Sequence, residues 1–474
     1  MHLVESLRDK VSKGTPILTK DDNEFTDAHV RWTNIDRKTP AVIVQPLSED
    51  DVVAVVRNLR PCLYKVKVAC AANVPFVPAS GGHSEWSTVE DGIIIDLSKY
   101  KQVSVDADQR TVTVRGGVLM KELQIALSEQ GQFTAIANGN TVGVIPYVIG
   151  GGISSYSPIV GYACENLLSA TLVTSTGTLT TCSSSQNPAL LWALRGAGQF
   201  FGITTSITLR IYPLSLIHPS PPGIRQIGVV FFPPPRAAEV CQTLKNIVGD
   251  SPGENPDKHI SSGHFMSMHN PDFGGQVLMV APQYFGTGPE LQKTFQPIID
   301  LEPLHHQHGP SNFEEHSDHL GWMCPKGEYK RFSQTGLVGI NPANFARLVD
   351  LHRELLETIP GTERSVFTIE WHTSTPKTGA RETETAFGMK GVEIWLNILT
   401  WYTDPGYHAQ VLQFDNRAQE IMRADTREDA YIAYTNTSRN DPVEWRYKDP
   451  KAVEKLRALK REWDPDGCFT KEFL

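Results

Sequence analysis

Three glycine-rich clusters fall in the first half of this 474-residue chain: SGGHS at 80–84, TVGVIPYVIGGGIS at 141–154 and RGAGQFFGITT at 195–205. Adjacent glycines allow close approaches that a Cβ forbids, and their converging N–H groups make an anion-binding concavity. One such cluster is ordinarily a turn. Three in one region constrain it to a scaffold around a large phosphate-containing ligand. The third cluster is not a dinucleotide fingerprint: its spacing is G-x-G-x-x-x-G and it precedes a strand-like run. The fingerprint needs a strand, then the glycine turn, then a helix. The first cluster adds His83 directly behind Gly81-Gly82, and histidine is the side chain most readily used as base, nucleophile or ligand.

A chain of this length exceeds one ordinary core and reads as two or three domains. Its net charge of -9 and lack of a basic run exclude a nucleic-acid partner. No apolar run reaches the roughly 18 residues that span a bilayer, so no membrane partner is expected. The opening MHLVESLRDKVSKG reads as an amphipathic helix without the apolar core of a signal peptide, and an intracellular, cytoplasmic location is expected. Seven cysteines, an odd number without framework spacing, fit reduced thiols. The sequon Asn436-Thr437-Ser438 is read as incidental in that setting.

Between about 40 and 215, strand-like and helix-like patterns alternate. IVQPLSEDDVVAVVRNL begins as a strand and continues as a helix capped by Ser48. GIIIDLS is a buried strand, VSVDADQRTVTVRGG two alternating strands, and VLMKELQIALSEQG a helix with Met120, Leu123 and Leu127 on one face. LSATLVTSTGTLTTC is a hairpin turning at Thr176-Gly177, and GITTSITLRIY closes the region as a strand. The proline-rich PLSLIHPSPPGIRQ then breaks the pattern. Beyond it, RQIGVVFF, QVLMVAPQYF, VFTIEWHT and VEIWLNILTW read as long strands. In the last, Val392, Ile394, Leu396 and Ile398 form an apolar back, while Glu393, Trp395, Asn397 and Trp401 form a polar and aromatic front. KAVEKLRALKREW ends the chain with a helical stripe of Val453, Leu456, Leu459 and Trp463.

The run P-x-S-G-G-H-S, GIIIDLSKYKQVSVD, VRGG, TVG, GGG and GAGQFFGITTSITLRIYP, followed by W-R-Y and LRALKREWDPDGCF, resembles the vanillyl-alcohol oxidase superfamily. Within it, the berberine-bridge-enzyme-like FAD-linked oxidases are most similar. The resemblance implies an α+β fold with a two-part FAD-binding domain (1–215 and 425–474) and an inserted substrate domain (216–424). That insert would be an antiparallel sheet backed by helices. It implies that Ser80, Gly81, Gly82 and Ser84 cradle the pyrophosphate and that FAD is attached covalently through His83. Thr141, Val142, Gly143, Gly150, Gly151 and Gly152 would run along the flavin, with Gly202 and Ile203 near its nucleotide end. Some members carry a second flavin bond from a cysteine two residues before the TVG threonine; that position is Gly139 here, so no second bond is expected. The chain departs from the family at Ile145-Pro146, where a glycine pair is usual, and at Lys448. The family's Y-x-N aligns either with Tyr434-Thr435-Asn436, which would put Asn436 at the cofactor, or with Tyr431 and Ala433.

Such an enzyme needs a base while a hydride leaves for the flavin. Tyr434 is the candidate by motif; Glu393, Asn397, Glu370 and His372 are candidates by strand direction, although an asparagine cannot itself be a base. His305, His306, His308, His316 and His319 lack metal-site spacing and are interrupted by proline and glycine, so a loop is expected there and no metal. The expected activity is oxidation of a small organic, secondary-metabolite substrate with return of electrons to oxygen. The alternative is a flavin-scaffolded, non-redox cyclase.

Overall fold

The computed structural model describes residues 2–59, 74–249, 260–373, 376, 378–389, 391–438 and 441–469. Two sheets organise the N-terminal part. In the first, Val42–Val44 and Phe76–Ala79 flank Ile93–Asp96 in parallel, and Ile17–Leu18 adds an antiparallel edge. Such a three-strand parallel arrangement buries both faces, and Ile93, Ile94 and Ile95 are fully buried accordingly. The helix Glu49–Asn58 covers this sheet. Ser48 caps it by accepting from the Asp51 N–H at 3.2 Å.

The second sheet is antiparallel, in the order Lys101–Val105, Thr111–Gly116, Ile203–Arg210, Leu167–Val173 and Leu179–Ser183. Its hairpin turns at Gly177, whose φ of 71° favours glycine. Met120, Leu123 and Leu127 are fully buried on one face of the helix Met120–Ser128.

Beyond the proline-rich break, eight antiparallel strands form one sheet. The order is His305–Ser311, Arg225–Phe232, Gly275–Tyr284, Ser261–Asn270, Val366–His372, Ile394–Tyr402, Tyr329–Leu337 and Ile432–Ala433. Helices Ala237–Val248, Gly288–Ile299, Pro342–Thr358 and His408–Arg423 pack on one face, sharing a core with Ile394, Leu396 and Ile398. The other face is left for the site.

Three local expectations are corrected. Val392 does not join the apolar back: it precedes the strand and packs with Trp395 and Tyr434 on the opposite side. The histidines at 305, 306 and 308 lie on an exposed edge strand and not in a loop, because they pair with Phe231, Val230 and Gly228 across the sheet edge. The segment after 424 also does more than return to the first part: Ile432–Ala433 adds an edge strand to the eight-stranded sheet. The helix Pro450–Trp463 then packs Val453, Leu456 and Leu459 into the core of the second sheet. Among the described residues, no helix is long and apolar enough to cross a membrane. Five described cysteines are free thiols; Cys62 and Cys70 lie outside the described residues.

Candidate cofactor cleft and active site

A cleft of about 1330 Å³ lies between these sheets. Phe76, Leu97, Gly202, Ile203 and Thr204 wall it on the N-terminal side, and His264, Met266, Glu370, Asn397 and Leu399 on the eight-stranded side. The volume exceeds the roughly 300–1,000 Å³ of ordinary small-ligand pockets. It suits an elongated ligand together with a second, smaller one.

Two glycine loops interlock along one wall. A Cβ on Gly81 would stand 2.3 Å from the Thr141 carbonyl oxygen and 2.6 Å from the Gly143 nitrogen, and a Cβ on Gly143 would stand 2.4 Å from Ser80 Oγ. Gly82 has φ of 69° and accepts from the Trp32 N–H through its carbonyl at 2.9 Å. The glycine pair thus seats one loop directly on the other. It presents His83 to the cleft. His83 Nε2 lies 2.8 Å from Thr141 Oγ1, and its ring stacks on Trp32 with centroids 5.5 Å apart. Burial, then the positive charges of Lys330 and Lys326, lower its pKa to about 3, so the ring is neutral at neutral pH.

Lys330 stands between the faces of Trp32 and Trp401, 4.9 and 4.5 Å from their centroids, and donates to the Pro325 carbonyl. Burial brings its pKa down to about 8. Trp32 Nε1 donates to the Met323 carbonyl at 2.7 Å. These contacts tie the chain at 323–325 to the wall that carries His83.

On the opposite side, Asn397 Nδ2 donates to Glu370 Oε2 at 2.7 Å, and His372 Nε2 lies 3.3 Å from Glu370 Oε1. His264 stands across the strand pair from Glu370. Burial alone would raise the Glu370 pKa; its interactions with His264 and His372 and the hydrogen bond from Asn397 outweigh it, bringing it to about 2. Glu370 is therefore a buried carboxylate. The Tyr434 hydroxyl accepts from the Gly152 N–H and from Asn436 Nδ2, each at 3.0 Å. Burial still dominates and raises the Tyr434 pKa, opposite to the lowering that proton acceptance requires.

The cleft brings together most of the residues singled out in the sequence. Ser80, Gly81, Gly82, His83, Ser84, Val142, Gly143, Gly202, Ile203, Glu370, Asn397, Tyr434 and Asn436 line it. Thr141 stands behind, reaching it through His83. Gly150, Gly151 and Gly152 do not line it: their Cβ positions are filled by the side chains of Asn436, Phe387 and Ala163. Glu393 precedes the strand Ile394–Tyr402 and does not line the cleft, and His372 reaches it only through Glu370. Tyr431 packs on Trp445 instead, so the aligned pair at the cleft is Tyr434 and Asn436. Ile145 and Pro146 line the cleft from the first turn of the helix Val144–Ile149, where a missing N–H is tolerated. Sequence reasoning missed His264, because SSGHFMSMHN mixes polar and apolar residues on both faces of its strand and gives no clean period-two signal. Trp32 and Lys330, far apart in sequence, give no local signal.

The lining fits FAD. Ser80 Oγ and Thr204 Oγ1 are buried atoms on the cleft wall that have no partner among the described residues, placed to meet polar groups of a ligand.

Residues 40–183 match the family model for an FAD binding domain. The chain is 26% identical over 483 residues to the FAD-linked oxidoreductase hasG of Aspergillus fumigatus, covering 96% of this chain and 95% of that protein. It is 26% identical over 450 residues to tazL of Aspergillus terreus, covering 93% and 86%. Among solved structures, BBE-like 1 of Physcomitrella patens superposes with a TM-score of 0.81 at 19% identity, covering 99% and 98%. Glucooligosaccharide oxidase from Acremonium strictum, whose FAD is described as 6-S-cysteinyl and 8α-N1-histidyl, superposes at 0.80 with 19% identity, covering 99% and 98%. The chain thus carries an FAD binding domain, is similar along nearly its whole length to fungal FAD-linked oxidoreductases, and has the fold of the berberine-bridge-enzyme-like oxidases.

Proposed function

We propose that this enzyme oxidises a small, largely apolar organic molecule by hydride transfer to FAD bonded to His83, with Glu370 as proton acceptor and oxygen as the final acceptor. Bound FAD supplies a two-electron acceptor. The observation that carries the reading is that one cleft joins a neutral histidine on interlocked glycine loops to a buried, ionised carboxylate. Thr141 engages His83 Nε2, which leaves Nδ1 as the atom for the flavin bond. If Nε2–H donates to Thr141 Oγ1, the Nδ1 lone pair is free to act as nucleophile.

Glu370 is favoured over Tyr434 as the base because it already lacks its proton. Asn397 and His372 orient it. Tyr434, held by the Gly152 N–H and Asn436, is suited to hydrogen-bond substrate or flavin rather than to take a proton. Met266, Phe332, Leu399 and Trp322 give the cleft an apolar, aromatic lining, which suits an aromatic or polyketide-like secondary metabolite. Residues 1–215 with the end of the chain would hold the cofactor, and the eight-stranded sheet the substrate.

The test is anaerobic mixing of the purified enzyme with candidate aromatic and polyketide-type substrates, followed at the flavin absorbance. Bleaching that returns on admitting oxygen supports the reading. Product formation without bleaching overturns it and favours a non-redox cyclisation.

A further inference from the structure

We infer that Cys324 is a second covalent attachment point for the flavin, supplied from a different part of the chain than in relatives with doubly linked FAD. The inference rests on the reading that FAD fills the cleft and bonds His83. The observation is geometric. A Cβ on Gly139, the position from which the sequence resemblance expects the second thiol, would lie 3.9 Å from Cys324 Sγ. A sulfur therefore already stands within van der Waals contact of the place that a side chain at 139 would begin from.

Cys324 is 9% exposed and lines the same cleft as His83. It is not an isolated thiol on a wall that protein already satisfies. Asn397 Oδ1 and His264 Nε2, both on residues more than nine-tenths buried, line that cleft without a partner among the described residues, and so are placed to meet a bound ligand. The thiol is also fixed relative to His83. Trp32, which stacks on His83, holds the Met323 carbonyl, and Lys330, over the same Trp32 ring, holds the Pro325 carbonyl. On the other side, Asn140 donates to Asp318 at 2.9 Å and accepts from Ser317, tying the loop that contains Gly139 to the 3₁₀ helix His316–Met323 that leads into Cys324. The Lys330 ammonium lies close enough to interact electrostatically with the Cys324 sulfur.

Bond formation is an oxidation and balances with dioxygen. The Cys324 S–H and one flavin ring C–H are lost and an S–C bond forms. The two electrons released pass into the flavin and on to dioxygen, which takes up two protons and leaves as hydrogen peroxide. A single turnover per chain suffices.

The experiment is peptide mapping of the holoenzyme after denaturation, alkylation and trypsin. Trypsin leaves His83 in peptide 68–99 and Cys324 in peptide 294–326. The expected product is one flavin joining both peptides in near-equimolar yield, with fragmentation placing it on Cys324 and not on the histidines of 294–326. His83→Ala should keep flavin through acid precipitation, and His83→Ala with Cys324→Ser should release all of it. Flavin on 294–326 alone would refute the His83 bond while upholding this inference. Alkylated Cys324 in the holoenzyme, with flavin on 68–99 alone or on neither peptide, overturns it.

Discussion

His83 Nε2 and Thr141 Oγ1, 58 residues apart in the chain, meet at 2.8 Å across two glycine loops seated on one another. The threonine thereby fixes which ring nitrogen faces the cofactor. Thr141→Val keeps the shape and removes the hydrogen bond, which is worth about 1 kcal/mol. Covalent flavin incorporation into apoprotein should slow by about three- to tenfold, measured as in-gel flavin fluorescence against time after FAD addition. An unchanged rate would remove Thr141 from the attachment chemistry.

The contact between the loops tolerates no Cβ. Gly81→Ala would place carbon 2.3 Å from the Thr141 carbonyl oxygen, a backbone atom that cannot swing aside. The expected cost is about 1–3 kcal/mol or more, with a lower melting temperature and flavin content well below that of the unsubstituted protein. Calorimetry and the ratio of flavin to protein absorbance check both. Normal loading would mean that the loops can part.

Glu370→Gln keeps the hydrogen bond to Asn397 but cannot accept the proton. Anaerobic flavin reduction by substrate should slow by about 10²–10⁴-fold with flavin content retained. Tyr434→Phe should slow it much less, since the phenol keeps its proton. A larger effect at Tyr434 than at Glu370, in stopped-flow reduction, would reverse the assignment.

Acid should destabilise the fold through buried neutral histidines. His352 lies in the core between Ser267 Oγ at 2.8 Å and the Ser365 carbonyl at 3.1 Å, and burial lowers its pKa to about 4. Below an unfolded-state pKa of about 6.5 the unfolded chain takes up the proton first, so stability is present above that pH and falls as pH drops toward 4. This histidine alone accounts for roughly 3 kcal/mol across the window. Melting temperature measured from pH 7 to pH 4 should fall steadily, and His352→Gln should make the fall shallower. A flat profile in the unsubstituted protein would contradict it.

Much of this molecule is legible in its sequence because the signals are local. The capping serine at 48, the stripe of Met120, Leu123 and Leu127, and the turn at Gly177 each report a short-range preference that the structure keeps. The alternation around Asn397 is equally local: Leu396 and Ile398 face the helices while Asn397 faces the cleft. The glycine pair before His83 marks a close approach without saying to what. Only the fold supplies Thr141 and Gly143 as the partners.

The sequence by itself determined the elements, the glycine loops and the histidine between them, because backbone propensity and side-chain period act over a few residues. Tertiary structure alone decided the rest. It aligned strand Ser261–Asn270 with Val366–His372, so that His264 faces Glu370. It packed protein side chains against Gly150–Gly152, and it set Cys324 against Gly139 and Lys330 between Trp32 and Trp401. Those pairings join residues tens to hundreds of positions apart, and their energies arise from burial and close packing, which no local window of sequence contains.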